Sequence, residues 1–398
     1  MKIYDYILCS GSGNRFLLFD TLRSDLSGLN IAAFAAEELH RFGVDGLLLL
    51  TRDGRGRFGM RMFNTDGSEA EMCGNGIRCV ARLARERYPE ATGERFAVTS
   101  GGREYRITCE EPIFGALPTF GAEIPLSLHG DDFPPSLPAE GFVGQPVPEL
   151  DEGLAFTFLQ PGNPHIVALV APDSAWLFGS DGRLDTRRLA ELGERANRMR
   201  GVFPRGINVS LFCRLDEGRI FAATYERGVG ITSSCGTAMT SCATAAALLG
   251  LAGFDTTVEV WNRGGRVRCL PRRTQQGIVT RLTGDASRIR VVQNETLSSP
   301  QLPESLEYAP KRETKPSGDH FVSILDDPYS AVASISADCS AAIQQAIDDV
   351  YALGGGVVYV PAGIYTLSQP ITVRPGVELR GSSDAPHHSQ VSSTVFYT

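Results

Sequence analysis

Phe63-Asn-Thr-Asp-Gly-Ser-Glu-Ala-Glu-Met-Cys73-Gly-Asn-Gly-Ile-Arg-Cys79 and Glu226-Arg-Gly-Val-Gly-Ile-Thr-Ser-Ser-Cys235-Gly-Thr237 are two versions of one segment. Asn64 stands nine residues before Cys73, and Glu226 stands nine before Cys235. An apolar or alternating run leads into each, Met60-Arg-Met-Phe63 and Ile220-Phe-Ala-Ala-Thr-Tyr225, and reads as a strand. A turn follows each strand, Thr65-Asp-Gly-Ser and Arg227-Gly-Val-Gly. Each Cys-Gly then opens a helical pattern. The first has Ile77, Val80 and Leu83 on its apolar face; the second is Ala-rich from Ala238 through Leu249, with Gly250 as its stop. Both cysteines are therefore expected at the N-terminus of a buried helix.

The likeness extends outward. Gly13-Asn14 precedes an apolar stretch after Asp45-Gly46 in the first half, and Gly162-Asn163 precedes Gly206-Ile-Asn208 in the second. Elements that keep their order across two halves indicate an internal duplication. Two similar domains facing each other would bring the matching elements around one cleft.

Two such cysteines suggest a chemistry. A helix N-terminus offers N–H groups without intrahelical partners and the positive end of the dipole. Both favour a thiolate, so the thiol pKa is expected to fall. The same N–H groups form a carboxylate site, and Gly74 and Gly236 let an anion approach the backbone. Helices meeting end to end would hold one α-carboxylate and present a sulfur to each face of the α-carbon. One thiolate removes the α-proton, the opposite thiol protonates the other face, and the helix ends stabilise the carbanion. Set against this is the bland alternative, since a buried cysteine is usually a small apolar filler. Paired Cys-Gly helix starts in matched halves argue against it for Cys73 and Cys235. Cys9, Cys79, Cys109, Cys213, Cys242 and Cys269 keep it.

Composition narrows the rest. The net charge of −8, 42% hydrophobic and 21% charged content describe an ordinary globular protein. No basic stripe or polybasic patch points to nucleic acid or a membrane surface. Asp5 interrupts the start, so no signal peptide is read there, and no segment reaches the length of a membrane span. Nine cysteines without an export signal imply free thiols in a reducing, cytoplasmic setting. No Cys-x-x-Cys pair suggests a metal site. No P-loop or dinucleotide fingerprint is present, because Gly11-Ser-Gly-Asn-Arg-Phe16 lacks the third glycine, so no cofactor is expected.

On these two cysteine motifs, with Gly162-Asn-Pro-His165 and Gly206-Ile-Asn208-Val, residues 1–293 resemble diaminopimelate epimerase. The resemblance implies an α+β fold of two pseudo-symmetric domains, each a mixed sheet curled around a central helix. Residues 1–126 with 276–293 would form the first domain and 127–275 the second. Gly264-Gly-Arg-Val-Arg-Cys269 and Val279-Thr-Arg-Leu-Thr-Gly284 would be the closing strands. It also implies cofactor-independent conversion of LL-diaminopimelate to the meso form. Cys73 and Cys235 would be the acid/base pair, with His165 and Glu226 bordering the reacting centre. Gly74, Asn75, Gly236 and Thr237 would cradle the carboxylate, and Asn14 would line the cleft. Asn64, Asn163, Asn208 and Arg227 would hold the substrate's distal amino-acid group. Amide oxygens suit an ammonium and a guanidinium suits a carboxylate, whereas proline has no such distal groups. Cys9-Ser10, Arg15, Ile231 and Ala238 depart from the family pattern, so a racemase for another amino acid stays open. Oligomeric state is not legible here; a homodimer is the working expectation.

After Val292 the composition changes. Residues 294–320 are rich in Ser, Pro, Glu and Lys and read as a linker. Asp338 is expected to cap an amphipathic helix through Leu353, followed by glycine-punctuated strands at Gly354–Tyr365, Ile371–Val373 and Val377–Gly381. Residues 321–398 thus resemble the start of a pectate-lyase-like right-handed β-helix. About two coils fit, fewer than the three or more a solenoid usually needs. The expectation is a fragment or a joined reading frame, and a polysaccharide-acting protein is the third functional class kept open.

Overall fold

The computed structural model describes residues 3–113, 118–129, 141–172, 174, 176–178, 184–296, 320–331, 337–360, 363–381 and 394–397. The chain divides into two compact units, Met1–Val170 with Leu189–Leu302 and Ala171–Arg188 with Pro303–Thr398. Among the described residues no helix is long and apolar enough to cross a membrane.

The first unit is built twice over. In the first half, Ile3–Gly11 pairs antiparallel with Asn14–Asp20, which pairs parallel with Gly46–Arg52, which pairs antiparallel with Phe58–Asn64. Phe58–Asn64 runs parallel to Arg95–Ser100, and antiparallel pairing continues through Arg103–Glu110 to Thr119–Leu126. The second half repeats that sequence of pairings. Asp151–Leu159, His165–Leu169, Asn208–Asp216 and Arg219–Glu226 pair antiparallel, parallel and antiparallel. Arg219–Glu226 then runs parallel to Val258–Asn262, followed by antiparallel Gly265–Thr274 and Gly277–Asp285. The last strands of the two halves, Thr119–Leu126 and Gly277–Asp285, pair with each other, and Ser287–Thr296 returns to Ile3–Gly11. Two pseudo-symmetric mixed sheets, joined edge to edge, are the result.

A helix fills each half. The first core helix, Gly74–Arg87, buries Ile77, Val80 and Leu83 as the heptad-like spacing requires. In the second, Gly236–Leu248, every residue from Gly236 to Ala247 is buried. Small side chains allow that: Ala, Thr, Ser and Cys let strands approach from all sides, and Thr240, Ser241 and Thr244 return their hydroxyls to carbonyls one turn back. Gly250 follows at φ +75°, in the left-handed region where glycine ends helices.

In the second unit the helix Ser340–Ala352 packs Ile343, Ala346, Ile347 and Val350 against Val358, Val360 and Tyr365. His320–Ser323, Gly356–Val360 and Val377–Gly381 pair in parallel, and Gly363–Thr366 pairs parallel with Thr394–Tyr397. An all-parallel ladder is what stacked coils produce. Three expectations need correction. The N-cap is Cys339, not Asp338; the Asp338 carboxylate lies one residue earlier, accepting Ser340 N–H at 3.0 Å and Ser368 O–H at 2.6 Å. Ile371–Val373 is not a strand. Its backbone is held by a side chain instead, with Thr372 N–H donating to Gln344 Oε1 at 2.8 Å and Thr372 O accepting from Gln344 Nε2 at 3.1 Å. Of the expected linker, residues 294–296 belong to Ser287–Thr296 and His320 begins His320–Ser323. Residues 297–319 lie outside the described residues.

Ile77 and Val80 are 0% exposed in the centre of the first half. Ile77→Ala is expected to lower the unfolding free energy by about 2–5 kcal/mol, measured by urea denaturation. A loss under ~1 kcal/mol would mean that the helix is not packed as described.

Candidate active site

Cys73 is the N-cap of the first core helix, at φ −133° and ψ 109°, and Cys235 is the N-cap of the second, at φ −135° and ψ 111°. Matching extended caps leave matching sets of first-turn N–H groups facing outward. The two helix starts meet. A Cβ on Gly236 would stand 2.8 Å from Asn75 N and 2.9 Å from Gly74 Cα, and one on Gly74 would stand 3.2 Å from Gly236 Cα. Backbone sits on backbone, which only glycine at both positions allows. Cys73 Sγ accepts the Gly76 N–H at 3.3 Å, and Cys235 Sγ lies 3.3 Å from Thr237 Oγ1. Cys73 is half-buried, whereas Cys235 is 7% exposed. The Gly162 loop reaches the first cysteine's side, since a Cβ there would stand 3.2 Å from Met72 Cβ.

His165 starts its strand opposite Asn208, in parallel register. The Arg227 N–H donates to Asn208 Oδ1 at 2.8 Å, which turns the Asn208 amide nitrogen towards His165 Nε2 at 3.3 Å. Nε2 is therefore an acceptor by this network, and the ring proton belongs on Nδ1. Nδ1 is buried with no partner among the described residues. Burial, with the Arg227 charge adding to it, lowers the imidazole pKa to about 3, so the ring is neutral. Thr237 Oγ1, 3.0 Å from Nε2, joins the imidazole to Cys235.

The low thiol pKa expected from the helix ends is overturned. Burial pushes Cys73 up to about 12; the Gly76 and Asn75 N–H groups pull it down, and the Glu226 charge raises it further. Burial also holds Cys235 well above the usual thiol range, with Glu226 and Cys73 adding to the rise against Thr237 and Ala238. Glu226 is itself raised, first by burial, while the Thr232 hydroxyl at 2.6 Å and Cys235 favour its anion and Asp45 opposes it. Desolvation of a whole sulfur outweighs two N–H contacts. The sulfurs and the carboxylate influence one another, so they titrate as a set. A desolvated thiolate, once formed, is a strong base, as a weakly acidic α-carbon demands.

The remaining expected residues fall into two groups. Asn75 donates to Asn14 Oδ1 at 2.6 Å and to Ser234 Oγ at 3.0 Å, and Asn14 donates to Asp45 Oδ2 at 3.2 Å. Asn14 and Asn75 thus join the helix ends, with their amides committed to neighbours. Asn163 Oδ1 is buried with no partner among the described residues. Arg227 is exposed and donates to Arg205 O at 2.9 Å. Asn64 donates to Ser68 Oγ at 3.0 Å inside its own turn, and no contact ties it to the cysteines. Asp45, Ser234 and Asn262 were not singled out from sequence. Asp45 holds Asn14 and the Arg15 N–H at 2.7 Å, and the Asn262 amide reaches Ser234 at 3.1 Å. The signal for Asp45 and Ser234 is position, just ahead of Gly46 and of Cys235 within the repeat; Asn262 carries none.

Comparison with known proteins agrees with this architecture. The family described as Diaminopimelate epimerase matches residues 6–113 and 157–289, and one described as Rhamnogalacturonase A/epimerase, pectate lyase-like matches 321–395. The chain is 33% identical over 275 residues to a diaminopimelate epimerase of Clostridium acetobutylicum, covering 68% of this chain and 78% of that protein. It is 33% identical over 298 residues to one of Listeria welshimeri, covering 72% and 87%. Solved structures share the fold at low identity. A phenazine biosynthesis protein of the PhzF family from Bacillus anthracis aligns at TM-score 0.51 and 15% identity, covering 74% of this chain and all (100%) of that one. A hydroxyproline epimerase from Agrobacterium vitis aligns at TM-score 0.50 and 12% identity, covering 74% and 91%.

With the thiol pKa near 12, the thiolate fraction of Cys73 is small at neutrality and grows about tenfold per pH unit. Its alkylation by iodoacetamide, followed by mass spectrometry, is expected to accelerate from about pH 6 to pH 9 without levelling off. A plateau below about pH 8 would contradict the dominance of burial.

Proposed function

This chain belongs to the diaminopimelate epimerase family, and we propose that it epimerises LL-diaminopimelate to the meso form by a two-thiol mechanism. The observation that carries the proposal is the head-to-head meeting of two helices whose N-caps are cysteines in the same backbone conformation. Cys73 and Cys235 approach one α-carbon from opposite faces. One acts as thiolate and removes the α-proton; the other, as thiol, delivers a proton, and the roles exchange with direction. First-turn N–H groups at Gly74, Asn75, Gly236 and Thr237 receive the α-carboxylate and the charge that develops on it. Glu226, acting on both sulfurs, borders the substrate's α-ammonium, whose positive charge offsets the carboxylate's pressure on the thiol pKa values.

Neutral His165, through Thr237, keeps Cys235 in a hydrogen-bonded position. Asn64, Asn163, Asn208 and Arg227 form the distal site, and the unpartnered buried Asn163 Oδ1 supports an ammonium there. The two catalytic halves are those whose last strands, Thr119–Leu126 and Gly277–Asp285, pair with each other. The reduced thiols accord with work in the cytoplasm.

In deuterium oxide, wild-type enzyme with LL-diaminopimelate is expected to incorporate solvent deuterium at the α-carbon as meso product accumulates. Cys73→Ala and Cys235→Ala should each abolish net epimerisation. Full turnover by either variant would refute the two-base scheme, and a panel of other amino acids would reveal a different substrate. Gly236→Ala, whose methyl would meet backbone at 2.8 Å, is expected to cut kcat by about 100-fold or more through displacement of the helix ends. Unchanged kcat would show that close contact is dispensable.

A further inference from the structure

Beneath the meeting point of the helices lies a cation that the two-thiol scheme does not use. Arg78 is 0% exposed. It sits one turn inside the first core helix, and its four donated hydrogen bonds all go to neutral acceptors. Nη1 donates to Gly74 O at 3.0 Å, Nη2 to Ser12 Oγ at 2.7 Å and to Asn75 Oδ1 at 2.9 Å, and Nε to Asp285 O at 3.2 Å. The Asp285 carboxylate is reached only through Ser12, whose hydroxyl donates to Oδ1 at 3.2 Å. The space is shaped for this group: a Cβ on Gly284 would stand 3.0 Å from Nη2 and 3.1 Å from Cζ.

A buried guanidinium with no carboxylate in direct contact among the described residues is costly unless it serves a nearby anion. The ionisable groups that bear on it are, in order, Asp285, Cys79, Cys73 and Cys269, while Cys73 itself is governed first by burial, then by the Gly76 N–H, Glu226 and the Asn75 N–H. Its geometry is as telling as its charge. Arg78 occupies Asn75 Oδ1, and this forces the Asn75 amide nitrogen towards Asn14 and Ser234. Ser234 directly precedes Cys235 and is also held by Asn262. An unbroken line of hydrogen bonds therefore runs from Arg78, behind one cysteine, to the residue beside the other.

We propose that Arg78 is a positioning residue for epimerisation: through Asn75 and the Gly74 carbonyl it keeps the two helix starts in register, and its charge favours the anions formed between them. Lysine could supply the charge but not the four-way fork. The proposal rests on the two-thiol reading of the site, and part of its test needs no substrate.

The test compares wild type, Arg78→Gln and Arg78→Lys in three measurements: melting temperature, kcat and KM for LL-diaminopimelate, and the pH dependence of Cys73 alkylation by iodoacetamide. Arg78→Gln is expected to lose about 100-fold in kcat with KM changed less than about threefold, and to alkylate Cys73 at least about threefold more slowly at a given pH. Arg78→Lys should recover the alkylation rate without recovering kcat. Gly284→Ala, which keeps the charge and displaces the guanidinium, should lower kcat likewise and serves if Arg78→Gln does not fold. Wild-type alkylation profiles and kcat in the folded variants, with only the melting temperature reduced, would overturn the proposal. If wild type itself fails to epimerise diaminopimelate, the functional reading is what fails, while the alkylation profiles still decide the role of Arg78.

Discussion

Gly74 and Gly236 touch backbone to backbone, and this one contact sets the terms for the rest of the molecule. Each glycine opens a helix, so two positive dipole ends and two sets of first-turn N–H groups face each other at van der Waals range. Nothing in the helices favours that arrangement; like ends repel. The sheets impose it, because Thr119–Leu126 and Gly277–Asp285 pair directly and hold both halves about their symmetry axis. The polar line through Asn14, Asn75, Ser234 and Asn262 reinforces it from within. An anion seated at the helix ends would relieve the repulsion, as the proposed binding of an α-carboxylate there requires.

That same closeness explains the sulfurs. At an open helix end a cysteine would be acidified, but here each half walls in the other's cap. Cys235 is 7% exposed and Cys73 half-buried, and at both sulfurs burial outweighs the dipole. Raised thiol pKa values suit the proposed two-thiol proton transfer at carbon better than a stable thiolate would, since a desolvated thiolate is a stronger base. Glu226 makes the two states depend on each other, since its charge bears on both thiols. The neutrality of His165, set by burial and the Arg227 charge, adds a hydrogen-bond partner without adding charge, while Asn208 and the Arg227 N–H fix its tautomer.

The second unit follows different physics. Its parallel ladders come from strands whose neighbours lie one coil away, and its core depends on the helix Ser340–Ala352 covering one face. There a side chain replaces backbone pairing where Gln344 binds Thr372, which is why the β-branched triplet Ile371–Val373 does not become a strand.

Local pattern carried much of this. The duplicated Cys-Gly segments, the apolar spacing of Ile77, Val80 and Leu83, and the equal lead-ins from Asn64 and Glu226 are one-dimensional signals, so helix starts, strands and the twofold plan were legible from residues alone. Asn64 and Glu226 do end equivalent strands, yet only Glu226 shows a tie to the thiols. Tertiary structure decided what one dimension does not encode. Burial set the direction of the thiol shifts, because desolvation depends on what the opposite half covers. It also gave Asp45, Ser234 and Arg78 their partners across the fold, since such contacts join residues up to 207 positions apart, a distance over which spacing says nothing about who meets whom.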